Sequence, residues 1–392
     1  MFVAMAGVYY SFGMMVSSIP PMVTVVRDDL GISRAAMGFA LGAWALIYIV
    51  SAPPAGRVID RLGLRWSITL GASFVALSGF ARAAAQGLGS FWLAIAIFGI
   101  GGPLVSASAP KLVSTWFDDP SERRLAVGLY TAAPALGGVT ALMITNSLLL
   151  PALGDWRWVV VVYSLVAVAS GVLWLLVSSK TGERVRDPGP APVGGAAAAG
   201  GWRVILASRG VQLALVLGIG IFFVNHGLNG WLPNVLETDS GLSASVASAW
   251  AGASALVGIG ASMLLPRFAT VARRGAVIGV SCATVGGSLA VMAIASSSSV
   301  DVAAVLVVGL RSALIPLVIV VLMEADGVTS ANMGLANGLW FSAAEIGGAT
   351  GPVAVGAIGD SAAGFQGALW MFAVILGVLA LVAVAGQRWV LR

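Results

Sequence analysis

The feature that most limits what this chain can become is a set of long runs without any formal charge. Residues 35–55, 66–81, 158–179 and 366–386 contain no Asp, Glu, Lys or Arg over 16 to 22 positions each. A helix needs about 20 apolar residues to cross the hydrocarbon core of a bilayer. Inside that core every backbone N–H and C=O must find a partner within the protein, which leaves only helices or a closed barrel. A barrel would read as alternating segments of about ten residues, a pattern this sequence does not show. Composition agrees, since 59% of the 392 residues are hydrophobic and 9% are charged, against about 25% charged in an ordinary soluble domain. The expected class is an all-α membrane protein.

Twelve transmembrane helices are expected, at about 3–25, 34–55, 66–86, 90–116, 123–149, 156–178, 204–228, 243–265, 275–296, 300–323, 332–358 and 366–388. Between the sixth and seventh, SSKTGERVRDPGPAPVGGAAAAGG is rich in Gly, Pro and Ala and reads as a flexible linker. The expected organisation is a six-helix bundle over 1–178, a cytoplasmic linker over 179–203 and a second six-helix bundle over 204–392. The N-terminal MFVAMAGVYYSFGMM has no basic flank and no evident cleavage site, so it reads as the first span and not as a signal peptide. It begins so abruptly that the natural start is expected further upstream.

The basic residues sort by loop. Arg57, Arg61, Arg65, Arg123, Arg124, Lys180, Arg184, Arg186, Arg203, Arg209, Arg267, Arg273, Arg274, Arg388 and Arg392 fall in alternate loops and at the chain end. The other loops hold only Arg27, Arg34, Arg82 and Arg157. Short cytoplasmic loops carry the excess of Lys and Arg, so both termini and the linker are expected on the cytoplasmic side of the inner membrane. The net charge of +5 then reflects topology, and no nucleic-acid partner is expected.

Two stretches repeat. GLYTAAPALGG at 128–138 and GLWFSAAEIGG at 338–348 share Gly128/Gly338, Leu129/Leu339, Ala133/Ala343, Gly137/Gly347 and Gly138/Gly348 at an offset of 210. They fall in the fifth and eleventh spans, the same place in each half. Two pseudo-symmetric bundles suit a transporter, because similar halves can rock about a site between them.

The loop between the second and third spans, GRVIDRLGLR at 56–65, resembles the cytoplasmic signature of the major facilitator superfamily. That resemblance implies the superfamily's twelve-helix fold and a conformational latch at Gly56, Asp60, Arg61, Gly63 and Arg65. Gly56 would permit close backbone approach and Gly63 a tight turn, while Asp60 would cap a helix N-terminus or pair with an arginine. The equivalent loop of the second half, PRFATVARRG, keeps the basic residues and lacks the acid. PALGG at 134–138 resembles the end of the superfamily's antiporter motif, with Ala133 where that motif has glycine. STWFDDPSERRLAVGLYT, NGWLPNVLE and GPVAVGAIGD resemble the cyanate/nitroimidazole branch, which implies a small, often anionic substrate.

A charge at bilayer depth costs at least about 2.5–3.5 kcal/mol, so each one needs a reason. Arg82 and Arg157 lie near span ends, where a long side chain can snorkel to the interface. Lys111 is near the inner end of the fourth span and is either a snorkelling side chain or a substrate contact. Arg311 lies at mid-depth of the tenth span; a substrate role or a buried ion pair that fixes packing would account for it. The superfamily fold implies that spans one, four, seven and ten line the central cavity. Glu345, at mid-depth of the eleventh span, is the expected partner of Arg311 and the expected proton-coupling residue, released to take a proton when substrate competes for the arginine. In FFVNHGLNGWLP, Asn225 and Asn229 share a helix face with His226 beside them, and a break near Gly227, Gly230 and Pro233 would free carbonyls. Tyr10 and Ser106 complete the expected substrate contacts, with Tyr9, Ser17 and Ser108 as weaker ones.

One cysteine and one histidine leave no disulfide within the chain, no metal site and no set of ligands or nucleophile and base for a membrane-embedded enzyme. No Gly-x-x-x-x-Gly-Lys-Ser/Thr loop is present, so no cofactor is expected and the energy should come from a gradient. The expected function is secondary active transport, as symporter or antiporter, of a small, anionic solute by a monomer in contact with membrane lipid. Proton-driven efflux of drugs or other apolar or cationic compounds is the alternative, and a non-transporting receptor on the same fold is the third.

Overall fold

The computed structural model describes residues 2–116, 119–180, 201–295, 297–329 and 332–390. Most of the expected linker, residues 181–200 with Arg184 and Arg186, lies outside the described residues, as does Arg392. The chain divides into two compact units, Met1–Ala191 and Pro192–Arg392. Ten helical runs among the described residues are long and apolar enough to cross a membrane. One of them, Arg34–Ala83, is 50 residues long and turns at Gly63, which makes it spans 2 and 3. Met333–Gly359 is less apolar because it carries Asn337, Ser342, Glu345 and Thr350 among many glycines, and it supplies span 11. With these, the twelve expected helices are all found.

The first unit contains span 1 (Phe2–Val16, then Val23–Leu30), spans 2 and 3, span 4 (Leu88–Ser106, then Ser108–Trp116), span 5 (Pro120–Ile144, running on to Leu153) and span 6 (Trp156–Lys180). The second contains span 7 (Arg209–Thr238), span 8 (Ala244–Leu264), span 9 (Arg274–Ile294), span 10 (Ser298–Val308, then Leu314–Met323), span 11 and span 12 (Gly364–Val390). Gly63 has φ +74°, a region where a side chain is strained, so this turn depends on glycine as the loop signature implied. Gly56 does not behave as expected. A Cβ there would meet nothing within 4 Å, so no close approach requires it.

Among the described residues, spans 1, 4, 5 and 10 are interrupted at or around the residue four before a proline. Proline cannot donate to the carbonyl at i−4 and its ring crowds that carbonyl. Span 1 stops at Val16 ahead of Pro20, span 4 at Ser106 ahead of Pro110, span 5 loosens over Thr145–Leu149 ahead of Pro151, and span 10 tightens into a 3₁₀ turn over Gly309–Ala313 ahead of Pro316. At this depth no water satisfies the freed carbonyls, so side chains do. The Tyr9 hydroxyl donates to the Val105 carbonyl at 2.5 Å and to that of Ser106 at 3.0 Å. Arg82 Nη1 donates to the Met15 carbonyl at 2.9 Å and to Ser18 Oγ at 3.1 Å, with its guanidinium over the Phe98 ring. Arg82 therefore does not snorkel. It is 3% exposed, held inward by the carbonyls that the break in span 1 leaves open. Pro134, Pro233 and Pro352 are carried inside unbroken helices.

The repeated stretches make the same crossing. A Cβ on Gly137 would run into the Tyr10 carbonyl and reach Met14 N at 3.0 Å; one on Gly347 would run into the Ile219 carbonyl and reach Phe223 N at 2.9 Å. Span 1 meets span 5 as span 7 meets span 11, backbone against backbone, which small residues allow. One residue on, Gly138 faces Ser17 and Gly348 faces His226.

Candidate functional site

Span 10 carries the site's cation on its break. Arg311 lies thirteen residues after Ser298 and twelve before Met323, roughly 18–20 Å from either end at 1.5 Å per residue. It sits in the 3₁₀ segment that Pro316 enforces, and the segment is wedged against span 8 through glycine. A Cβ on Gly258 would come within 2.5 Å of Ser312 Oγ and 2.8 Å of the Gly309 carbonyl. A short 3₁₀ stretch inside a helix is a common mark of a functional hinge.

Arg311 is 3% exposed. Its Nη2 donates to Asn229 Oδ1 at 2.8 Å and its Nη1 to the Val308 carbonyl at 3.3 Å, while Nε has no hydrogen-bond partner among the described residues. Asn225 Nδ2 donates to the Ile221 carbonyl at 3.1 Å and reaches the Arg311 carbonyl at 3.5 Å. The expected grouping of Arg311, Asn225 and Asn229 is thus realised, with both amides on one face of span 7. The expected Arg311–Glu345 pair is not. No carboxylate among the described residues lies within ion-pair distance of Arg311, whose partners are an amide oxygen and a carbonyl.

Glu345 faces span 7 instead. Its Oε2 lies 3.7 Å from His226 Nδ1, the two side chains being 4% and 14% exposed. This pairing follows from the close crossing. Gly347 lets the helices touch, and a Cβ on Gly348 would stand 2.5 Å from His226 Nδ1 and overlap Glu345 Oε2, so glycine keeps the space in which the two meet. His226 also reaches the Gly348 backbone, whose carbonyl gets no helical donor from Pro352, and it lies against Phe222 at 5.3 Å between ring centroids. The expected break in span 7 is corrected here. The helix is not broken at Gly227, Gly230 or Pro233 but runs to Thr238, and His226 is therefore well inside the span, twelve residues from its end.

The other expected contacts lie in the first unit and have structural partners. Lys111 Nζ binds Asp60 Oδ1 at 2.9 Å, so it ties the end of span 4 to the loop signature; Asp60 pairs with a lysine where an arginine was expected. Arg61 is exposed, and Arg65 lies over Trp66 while its carbonyl accepts from Trp174 Nε1. The Tyr10 hydroxyl donates to Thr140 Oγ1 at 2.8 Å, and Ser106 Oγ bonds the Tyr48 hydroxyl at 2.6 Å. Sequence reasoning missed Gly348, whose role depends on a crossing partner 122 residues away. It also missed Asp301, which is 3% exposed with Oδ1 unpartnered among the described residues; its place in the first turn of span 10 made it look like an end residue.

Comparison with known proteins decides the family. The model for the Major Facilitator Superfamily matches residues 1–328. The chain belongs to the Major Facilitator Superfamily. This member is 28% identical over 249 residues to the D-galactonate transporter of Escherichia coli O6:H1, covering 56% of this chain and 54% of that protein. It is 26% identical over 225 residues to the hexuronate transporter of Bacillus subtilis, covering 56% and 51%. It is 31% identical over 163 residues to the puromycin resistance protein pur8 of Streptomyces alboniger, covering 41% and 32%. The chain thus spans about half the length, or less, of these curated relatives. A bacterial homolog of the human lysosomal transporter Spinster, solved in an inward-facing and unoccupied conformation, superposes with a TM-score of 0.83 at 16% identity, over 100% of this chain and 97% of that one. That likeness establishes the superfamily fold in this multi-pass membrane protein.

Proposed function

We propose that this superfamily member is a secondary active transporter that moves a small organic anion by alternating access, with Arg311 as the anion's anchor. The observation that carries this reading is a buried guanidinium with no counter-charge among the described residues. A full cation at mid-depth is costly unless a negative group joins it, and a guanidinium offers a carboxylate two parallel hydrogen bonds. A bound carboxylate would replace Asn229 on Nη2 and take up the idle Nε–H. Asn229 and Asn225 then read the rest of the solute through neutral amides. The names of the relatives point the same way, since they describe transporters of galactonate and hexuronate, and a putative tartrate transporter of Agrobacterium vitis is 26% identical over 167 residues. The stretches similar to the cyanate/nitroimidazole branch add a small inorganic anion to the panel to be tried.

Glu345 is the proton-coupling residue in this reading, on different grounds from those first expected. It needs no release from Arg311, because it is not bound there. The chain lies in the inner membrane as a monomer surrounded by lipid, with both termini on the cytoplasmic side, and Asp60, Arg61, Gly63 and Arg65, now with Lys111, form the inner latch. The match to a puromycin resistance protein supports a second reading, proton-driven drug efflux. Proteoliposomes separate the two. With a pH gradient imposed, uptake of galactonate, hexuronate, tartrate, cyanate and a cationic dye is measured for wild type and Arg311→Gln. Carboxylate uptake that vanishes in Arg311→Gln is the expected result; dye transport indifferent to Arg311 and no carboxylate uptake would overturn it.

A further inference from the structure

We infer that His226 is the second seat of the proton that Glu345 carries, so that the two residues on spans 7 and 11 act as one single-proton site. This rests on the anion reading above but concerns a different residue. The geometry has three parts. Glu345 Oε2 and His226 Nδ1 face each other at 3.7 Å, both buried, and Glu345 Oε2 has no hydrogen-bond partner among the described residues. The neutral pair and the imidazolium–carboxylate pair contain the same number of protons, so a proton can pass from the carboxyl oxygen to the imidazole nitrogen without changing the charge of the site. Gly348 leaves the space that this exchange needs, since any Cβ there would fall between the two groups.

Other charges do not take this role. Span 8 has no ionisable side chain, span 10 brings Asp301 in its first turn and Arg311 at its break, span 12 carries Arg388 in its last turn, and the short helix Gly201–Ala207 carries Arg203. None lies within ion-pair distance of Glu345, whose one such neighbour among the described residues is His226. The link to the anion runs along span 7. His226 and Asn229 are three apart, adjacent on the helix surface, and Asn229 holds Arg311. Charge balance then sets the order of loading. With the pair deprotonated the cluster holds one carboxylate and one guanidinium; with an anion on Arg311, neutrality is restored when the pair holds its proton. Anion and proton enter together and leave together.

The chain's single histidine makes the test direct. Protein labelled with ¹⁵N in the imidazole ring and held in lipid nanodiscs gives signals from His226 alone. Titrated without any substrate, those signals should change in one step, and the step should fall at a different pH in Glu345→Gln and in Gly348→Ala. An imidazole titration identical in wild type and Glu345→Gln overturns the inference, whatever the protein transports. In flux, His226→Asn should cut gradient-driven galactonate uptake about tenfold and flatten its dependence on external pH. A variant that is slower but keeps the wild-type pH profile would show a merely structural histidine and also overturns it. If wild type moves no carboxylate, the transport reading fails while the NMR titration still decides the proton site.

Discussion

The crossing of spans 1 and 5 and the crossing of spans 7 and 11 are built on the same backbone and serve different chemistry. Gly137 meets Tyr10 as Gly347 meets Ile219; the two glycines are 210 apart in sequence and the residues they meet are 209 apart. Around that shared frame the side chains diverge. Ser17 stands where the second unit has His226, and Ala135 where it has Glu345. The buried arginines differ likewise. Arg82 meets the carbonyl and hydroxyl left by a proline break, whereas Arg311 sits on such a break and offers its outer nitrogen to Asn229, an exposed residue. Glycines fix how the helices cross, and the neighbouring positions decide whether the crossing is inert or holds charge.

The comparison can be broken most severely at the shared glycines. Gly137→Ala and Gly347→Ala each drive a methyl into a carbonyl of the facing helix, which cannot move aside as a side chain can. Overpacking of this kind costs about 3 kcal/mol or more, and both variants should lose most of their folded yield in detergent, measured by size-exclusion fluorescence; a well-folded Gly137→Ala would show that the crossings are looser than described. The next glycine along should separate the two units. Gly138→Ala asks only Ser17 Oγ, 2.8 Å from the added Cβ, to rotate, and should cost about 1 kcal/mol or less. Gly348→Ala displaces a ring and a carboxyl together and should cost about 2 kcal/mol and change the pH profile of uptake; equal melting shifts for the two would erase the distinction. Asp60→Asn should have the smallest effect. The Lys111–Asp60 pair is 26% and 49% exposed, and exposed pairs contribute about 0–1 kcal/mol, so the melting temperature should barely move while the salt dependence of transport weakens.

Much of the fold was legible because the bilayer leaves so few choices. Charge-free runs marked the spans, and Gly63 announced its turn through the loop signature. The site was legible in part. Arg311, Asn225 and Asn229 could be grouped because a helix places i and i+4 together and a charge at mid-depth is conspicuous. The pairing of Glu345 was not readable, since spans 10 and 11 are both neighbours of span 7 and only the glycine crossing decides which side chain the carboxyl faces. Arg82 was misjudged for a related reason. Its distance from the span end permitted snorkelling, but the carbonyls exposed by Pro20 in a different span draw it inward. The bond of Lys111 to Asp60 was not readable either, because the two lie 51 residues apart.

The central claim is that Arg311, the buried arginine at the break of span 10, is the seat of the anion and that Arg82, buried in the first unit, is not. Isothermal titration of galactonate into purified wild type, Arg311→Gln and Arg82→Gln tests it most directly. Hydrogen bonds to charged groups contribute about 1.5–3 kcal/mol, so Arg311→Gln should weaken binding by at least about tenfold. Arg82→Gln should lower the folded fraction and leave the affinity of the folded protein unchanged. Wild-type affinity in Arg311→Gln, or its loss in folded Arg82→Gln, would contradict the account.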